Sequence, residues 1–141
     1  MKHQPSRNHP VPVVVYGTLR TGGTLKSYYF PGLQGEPTSI VDHVLQYNPS
    51  IPYPFLTARP GEQAIGEVYW VTDPQVLARV TAMEEQAGYV RGWVSVRSDV
   101  HDVEYQALAF LWQGDTAYGA LLQPVPDGDW LALAGREGIA L

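Results

Sequence analysis

The residues with the most direct chemical potential are two adjacent carboxylates, Glu84 and Glu85, within the segment from Asp73 to Gly88. Val76, Val80, Met83 and Ala87 recur there at helical spacing and form one stripe at about 100° per residue. Glu84 falls about 80° from Val76, beside Leu77 on the margin of that stripe, whereas Glu85 falls at about 180° and faces solvent. A carboxylate at an apolar margin loses hydration, and desolvation raises its pKa toward the neutral range that a general acid/base needs. The same placement suits a plain amphipathic helix whose Glu84 reaches water or pairs with Arg91.

The second candidate is Gly17-Thr18-Leu19-Arg20-Thr21-Gly22-Gly23-Thr24, which follows the β-branched run from Val11 to Tyr16. It nearly spells the phosphate-binding pattern G-x-x-x-x-G-K-[ST], but Gly23 occupies the lysine position and Lys26 comes three residues later. The charge that reaches the β- and γ-phosphates is therefore missing, which argues against nucleotide hydrolysis. Main-chain N–H groups turned outward at a strand end can instead hold a carboxylate or a developing oxyanion. An ordinary strand-end turn is the plainer reading. His3, His9, His43 and His101 lack the spacing of metal ligands, and no serine stands in a G-x-S-x-G elbow.

The elements that must position these groups belong to a chain of 141 residues and 15.6 kDa, the size of one domain. Hydrophobic residues make up 45% and charged residues 16%, too apolar a balance for a disordered chain. Nine basic against fourteen acidic side chains leave a net charge of −5, which argues against nucleic acid or an anionic membrane as partner. The absence of cysteine excludes disulfides, thiolate metal sites and cysteine nucleophiles. The apolar runs are too short to span a bilayer, and the polar start of the chain carries no secretory pattern, so the expected location is cytoplasmic. The expected organisation is a disordered tail over residues 1–10 followed by a single domain over 11–141.

Strands are expected at Val11 to Tyr16, Ser39 to Tyr47, Gln63 to Val71, Gly92 to Arg97 and Glu104 to Trp112. Asn48 to Gly61, with its prolines, reads as loop, and Leu25 to Phe30 as a short helix. The main helix has Asp73 as cap, Pro74 at its first position and Gly88 just past its end. The tail reads as irregular, with a short helix near Trp130. Five strands and one good helix suggest an α+β domain whose sheet curls around a small core.

Four separated pieces, in this order, resemble the gamma-glutamylcyclotransferase-like family. Val15-Tyr16-Gly17-Thr18-Leu19-Arg20 is similar to its Y-G-[ST]-L-[RK] signature, and Gly66-Glu67-Val68-Tyr69 to its G-E-[VL]-[YF] strand. Met83-Glu84 followed by Tyr89-Val90-Arg91 is similar to its L-E…Y-x-R junction, and Gly128-Asp129-Trp130 to the G-D-W of small bacterial members. The resemblance implies a small mixed β-barrel of five to seven strands with one main helix, short flanking helices and a cavity at one end. It implies release of 5-oxoproline from a small γ-glutamyl amide or amine, without metal or cofactor. Glu84 matches the acid/base position, and Tyr16, Gly17, Thr18 and Leu19 the loop that holds the γ-glutamyl group through main-chain N–H groups. Arg20 or Arg91 can hold the substrate's α-carboxylate or be a surface charge; Tyr89 can touch the substrate or fill the barrel mouth. Thr81 stands where relatives often have Asp, Glu85 where they commonly have Gly, and Gly22-Gly23-Thr24 where many have Asn. A non-catalytic module binding a small ligand or a protein on the same fold is the alternative, and the oligomeric state stays open.

Overall fold

Val13, Val14 and Val15 make β1 (Val11–Val15) apolar on both faces, the pattern of a strand covered on both sides. In the computed structural model, which describes residues 9–23, 25–49, 54–112 and 122–137, all three are buried. Most of the expected tail, residues 1–8, lies outside the described residues. After β1 come α1 (Lys26–Tyr29), β2 (Glu36–Tyr47), β3 (Phe55–Val71), α2 (Pro74–Gln86), β4 (Tyr89–Ser98), β5 (Glu104–Trp112), β6 (Gln123–Pro124), a 3-10 turn (Pro126–Gly128) and α3 (Trp130–Glu137).

The strands pair in the order β3-β1-β5-β4-β2-β6, and β2 pairs with β3 as well. That last pairing closes β1 to β5 into a barrel, leaving β6 as an extra strand on β2. The barrel is mixed because β1 runs parallel to β5 and antiparallel to β3. This is the small mixed β-barrel with one main helix that the sequence pointed to.

Alternation with period two then divides the apolar residues between two cores. Val14, Ile40, Val68, Val94, Val96, Ala107 and Ala109 share one with Trp130, Leu133 and Ala134 of α3. Val13, Val15, Tyr69, Leu108 and Phe110 share the other with Val80 of α2 and Phe30. Val80 is the fully buried side chain of α2 and contributes about 1.5–3 kcal/mol, with Val76, Leu77 and Met83 partly buried beside it, so the packed face holds α2 to the barrel. The caps decide where it starts and stops. The Asp73 carboxylate accepts from the Gln75 N–H at 2.9 Å, Pro74 opens the helix, and Gly88 at φ +98° takes the left-handed turn that sends the chain straight into β4. β4 consequently begins at Tyr89, three residues before the expected Gly92.

The expected loop from Asn48 to Gly61 is strand from Phe55 onward. Register explains how the prolines are tolerated: Val41 pairs with Gln63 but His43 with Ala58, so residues 59–62 bulge opposite Asp42. Pro60 sits in that bulge, where no ladder N–H is required, and the Asp42 carboxylate accepts from Gly61 N–H at 2.9 Å. The tail is likewise more ordered than its glycines and prolines suggest. Val125 N–H donates to the Leu45 carbonyl at 2.8 Å, and α3 runs for eight residues. No helix among the described residues is long and apolar enough to cross a membrane.

Candidate active site

The segment after β1 turns sharply because Arg20 N–H bonds the Gly17 carbonyl at 3.0 Å and Gly23 N–H the Arg20 carbonyl at 2.8 Å. Gly23 lies against the Thr18 carbonyl so closely that a Cβ would sit 2.1 Å from its oxygen. Anchors from the barrel fix the turn further. The Tyr16 hydroxyl donates to the Phe110 carbonyl, and the Tyr69 hydroxyl donates to the Leu19 carbonyl at 2.8 Å. Glu67 Oε1 accepts from Thr21 N–H at 2.9 Å. The N–H groups of Gly17, Thr18 and Leu19 donate to no protein acceptor among the described residues.

Those three residues and Tyr16 line a cleft of about 180 Å³ whose facing wall is the last turn of α2, with Met83, Glu84 and Ala87. Leu25, Pro54, Tyr89 and Phe110 complete most of the remainder. The volume lies below the ~300–1,000 Å³ of pockets for drug-sized molecules, so the cleft suits a small compound or one end of a larger one.

Burial in this apolar cleft pushes the Glu84 carboxyl up from its ordinary 4.5 to about 7. Glu85, one residue on, is exposed. Helical phase alone separated these two neighbours correctly. The Tyr16 hydroxyl is raised well above its ordinary value, first by burial, then by Tyr89 and by the Glu84 charge. It therefore stays protonated. The Tyr89 hydroxyl donates to the Pro54 carbonyl at 2.9 Å, and its ring packs edge-on to Trp112, so it forms part of the cleft wall. A carboxyl raised toward neutrality that shares a small apolar cleft with the Gly17–Leu19 turn can accept and return a proton, and main-chain N–H groups of such a turn can stabilise an oxyanion.

The structure thus brings Glu84, Tyr16, Gly17, Thr18, Leu19 and Tyr89 together, but it places the two arginines elsewhere. Arg91 is exposed on β4, forms no ion pair with Glu84 and does not line the cleft. Arg20 turns away from the cleft lining: its Nε lies 3.2 Å from Glu67 Oε2 and its Nη1 3.0 Å from Asp129 Oδ1. Sequence reasoning found Glu67 and Asp129 only as letters of motifs and missed them as partners of Arg20. The one available signal was an acidic residue, Glu67, inside the otherwise apolar run from Ala64 to Val71. Thr81, one turn before Glu84, buries a hydroxyl that has no hydrogen-bond partner among the described residues.

Fold and cleft together define a small closed barrel whose cleft sets a carboxyl raised by burial against a glycine-containing turn. Residues 13–132 match the family model described as gamma-glutamyl cyclotransferase, AIG2-like, and the chain belongs to that family. Solved structures agree on the fold. An AIG2-like protein of Mus musculus superposes with a TM-score of 0.74 at 20% identity, over 94% of this chain and 95% of that one. An uncharacterised protein of Pyrococcus horikoshii gives 0.66 at 23% identity, over 91% and 96%. A structure named gamma-glutamyl cyclotransferase gives 0.61 at 16%, over 83% and 72%. No curated protein matches the chain.

Proposed function

We propose that the protein is a cofactor-independent cyclotransferase that releases 5-oxoproline from a small γ-glutamyl amide or amine. The observation that carries this reading is a single cleft lined both by Glu84, raised to about 7 by burial, and by Gly17 to Leu19, whose N–H groups donate to no acceptor among the described residues. Family membership supports it.

The substrate supplies its own nucleophile, so proximity is largely built into the reactant. The lone pair of the neutral α-amine attacks the γ-carbonyl carbon, and Glu84 takes the proton that this nitrogen sheds as the bond forms. The new carbon–nitrogen bond closes the five-membered ring, and the negative charge on the former carbonyl oxygen faces the N–H groups of the turn. Glu84 returns the proton to the departing nitrogen as its bond to carbon breaks. A carboxyl titrating near neutrality is matched to both transfers. Losing one oxyanion donor typically costs about 3–4 kcal/mol of barrier.

The test is 5-oxoproline release from glutathione, γ-glutamylalanine and γ-glutamylmethylamide. Wild-type protein and Glu85→Gln are expected to form product from at least one of them, and Glu84→Gln from none while remaining folded. Near-normal turnover by Glu84→Gln would falsify the assignment. Calorimetric binding of these compounds by wild-type protein without product over hours would instead select a binding module.

A further inference from the structure

We propose that Arg20, Glu67 and Asp129 form a positioning clamp that holds the N–H groups of Gly17 to Leu19 in register with Glu84; the proposal rests on the cyclotransferase reading of the cleft. The three residues come from the turn after β1, from β3 and from the start of α3, and their side chains are 12%, 11% and 30% exposed. Glu67 grips the turn twice, through the Arg20 guanidinium with Oε2 and through the Thr21 N–H with Oε1. Gly35 closes over it so tightly that a Cβ there would lie 2.4 Å from Oε1. Asp129 Oδ1 accepts from Arg20 and also from Ala132 N–H at 3.3 Å, which ties the turn to the first turn of α3.

A planar guanidinium held at two of its nitrogens cannot rotate without breaking an ionic hydrogen bond. Arg20 is the residue directly after the last lining residue of the turn, so its orientation is passed to the preceding amides through the turn itself. Two carboxylates on one guanidinium leave this cluster with a formal charge of −1 and no spare cation to receive a substrate carboxylate. Donors aimed at an oxyanion act chiefly in the transition state, so a loosened clamp shows in kcat, whereas a lost carboxylate receptor shows in KM.

Steady-state kinetics on the substrate that wild type turns over fastest, with thermal melts alongside, tests this in Glu67→Gln and Asp129→Asn. The amide oxygens still accept from Thr21 and Ala132 N–H, and Asn is as good a helix cap as Asp, so each substitution removes mainly the ionic contact. We expect kcat to fall by about tenfold to a hundredfold, with KM within about threefold of wild type and the acid-side midpoint of the pH profile unchanged. Should either variant melt below the assay temperature, Arg20→Lys, which keeps the charge and loses the two-armed geometry, is read by the same two constants. A kcat within about twofold of wild type, or a raised KM with kcat preserved, overturns the clamp and leaves the cyclotransferase reading standing. A wild-type protein that forms no product overturns that reading, and the clamp with it.

Discussion

Replacing Glu84 with glutamine is expected to make the protein more stable at pH 8 while removing its proposed activity. In the unfolded chain this carboxyl titrates at its ordinary 4.5, and in the folded cleft at about 7. Between those values the folded state keeps a proton that the unfolded state has released. Stability contributed by the protonated carboxyl is therefore fully present below about pH 4.5 and is lost as pH rises through about 7. At about 1.4 kcal/mol per pH unit the gap amounts to about 3 kcal/mol, which is an upper value because the cleft opens to water. Glutamine is similar in size and carries no charge at any pH, so it does not incur this loss. The stability difference between Glu84→Gln and wild type is expected to grow from near zero at pH 4.5 to about 2–3 kcal/mol at pH 8. Urea unfolding of both proteins at the two pH values measures it, since every other titrating group cancels in the comparison. A difference that stays constant with pH, or a wild type that gains on the variant as pH rises, would refute the claim that burial disfavours the Glu84 charge.

Further outcomes follow from the same structure. The pH profile of kcat/KM is expected to rise with a midpoint near 7, because the base must be ionised to take the first proton; a profile flat from pH 5.5 to 8.5 counts against Glu84 in that role. Gly23→Ala forces a methyl group into the Thr18 carbonyl, and about 1–3 kcal/mol of stability should go together with loss of 5-oxoproline release; an unchanged melt and unchanged turnover contradict the described turn. Thr81→Val removes a buried hydroxyl without a partner, so unfolding free energy should hold or rise by up to about 1 kcal/mol; a clear drop points to a hydrogen bond that Thr81 does make. Asp73→Ala removes the cap of α2 and should cost about 1 kcal/mol in denaturant titration without altering the pH midpoint.

The amino-acid sequence by itself determined what depends on near neighbours along the chain. Asp73, Pro74 and Gly88 set the limits of α2. The phase of Val76, Val80 and Met83 turned Glu84 inward and Glu85 outward, and runs of alternating or β-branched residues marked the five barrel strands. What eluded it depends on closure. Phe55 to Gly61 is strand because β2 offers a pairing edge and a bulge absorbs Pro60, and a proline-rich segment does not advertise a partner. Arg20 reads as a receptor for a substrate carboxylate or as a surface cation until the barrel brings Glu67, 47 residues on, and Asp129, 109 residues on, to its guanidinium. Glu84 has a helical position by phase, but its carboxyl rises toward neutrality only because the turn after β1, Pro54 and Tyr89 enclose the same small space. Helical phase and caps act over three or four residues and are written locally. Desolvation and ion pairing depend on which distant segments arrive at one place, and only the closed barrel decides that.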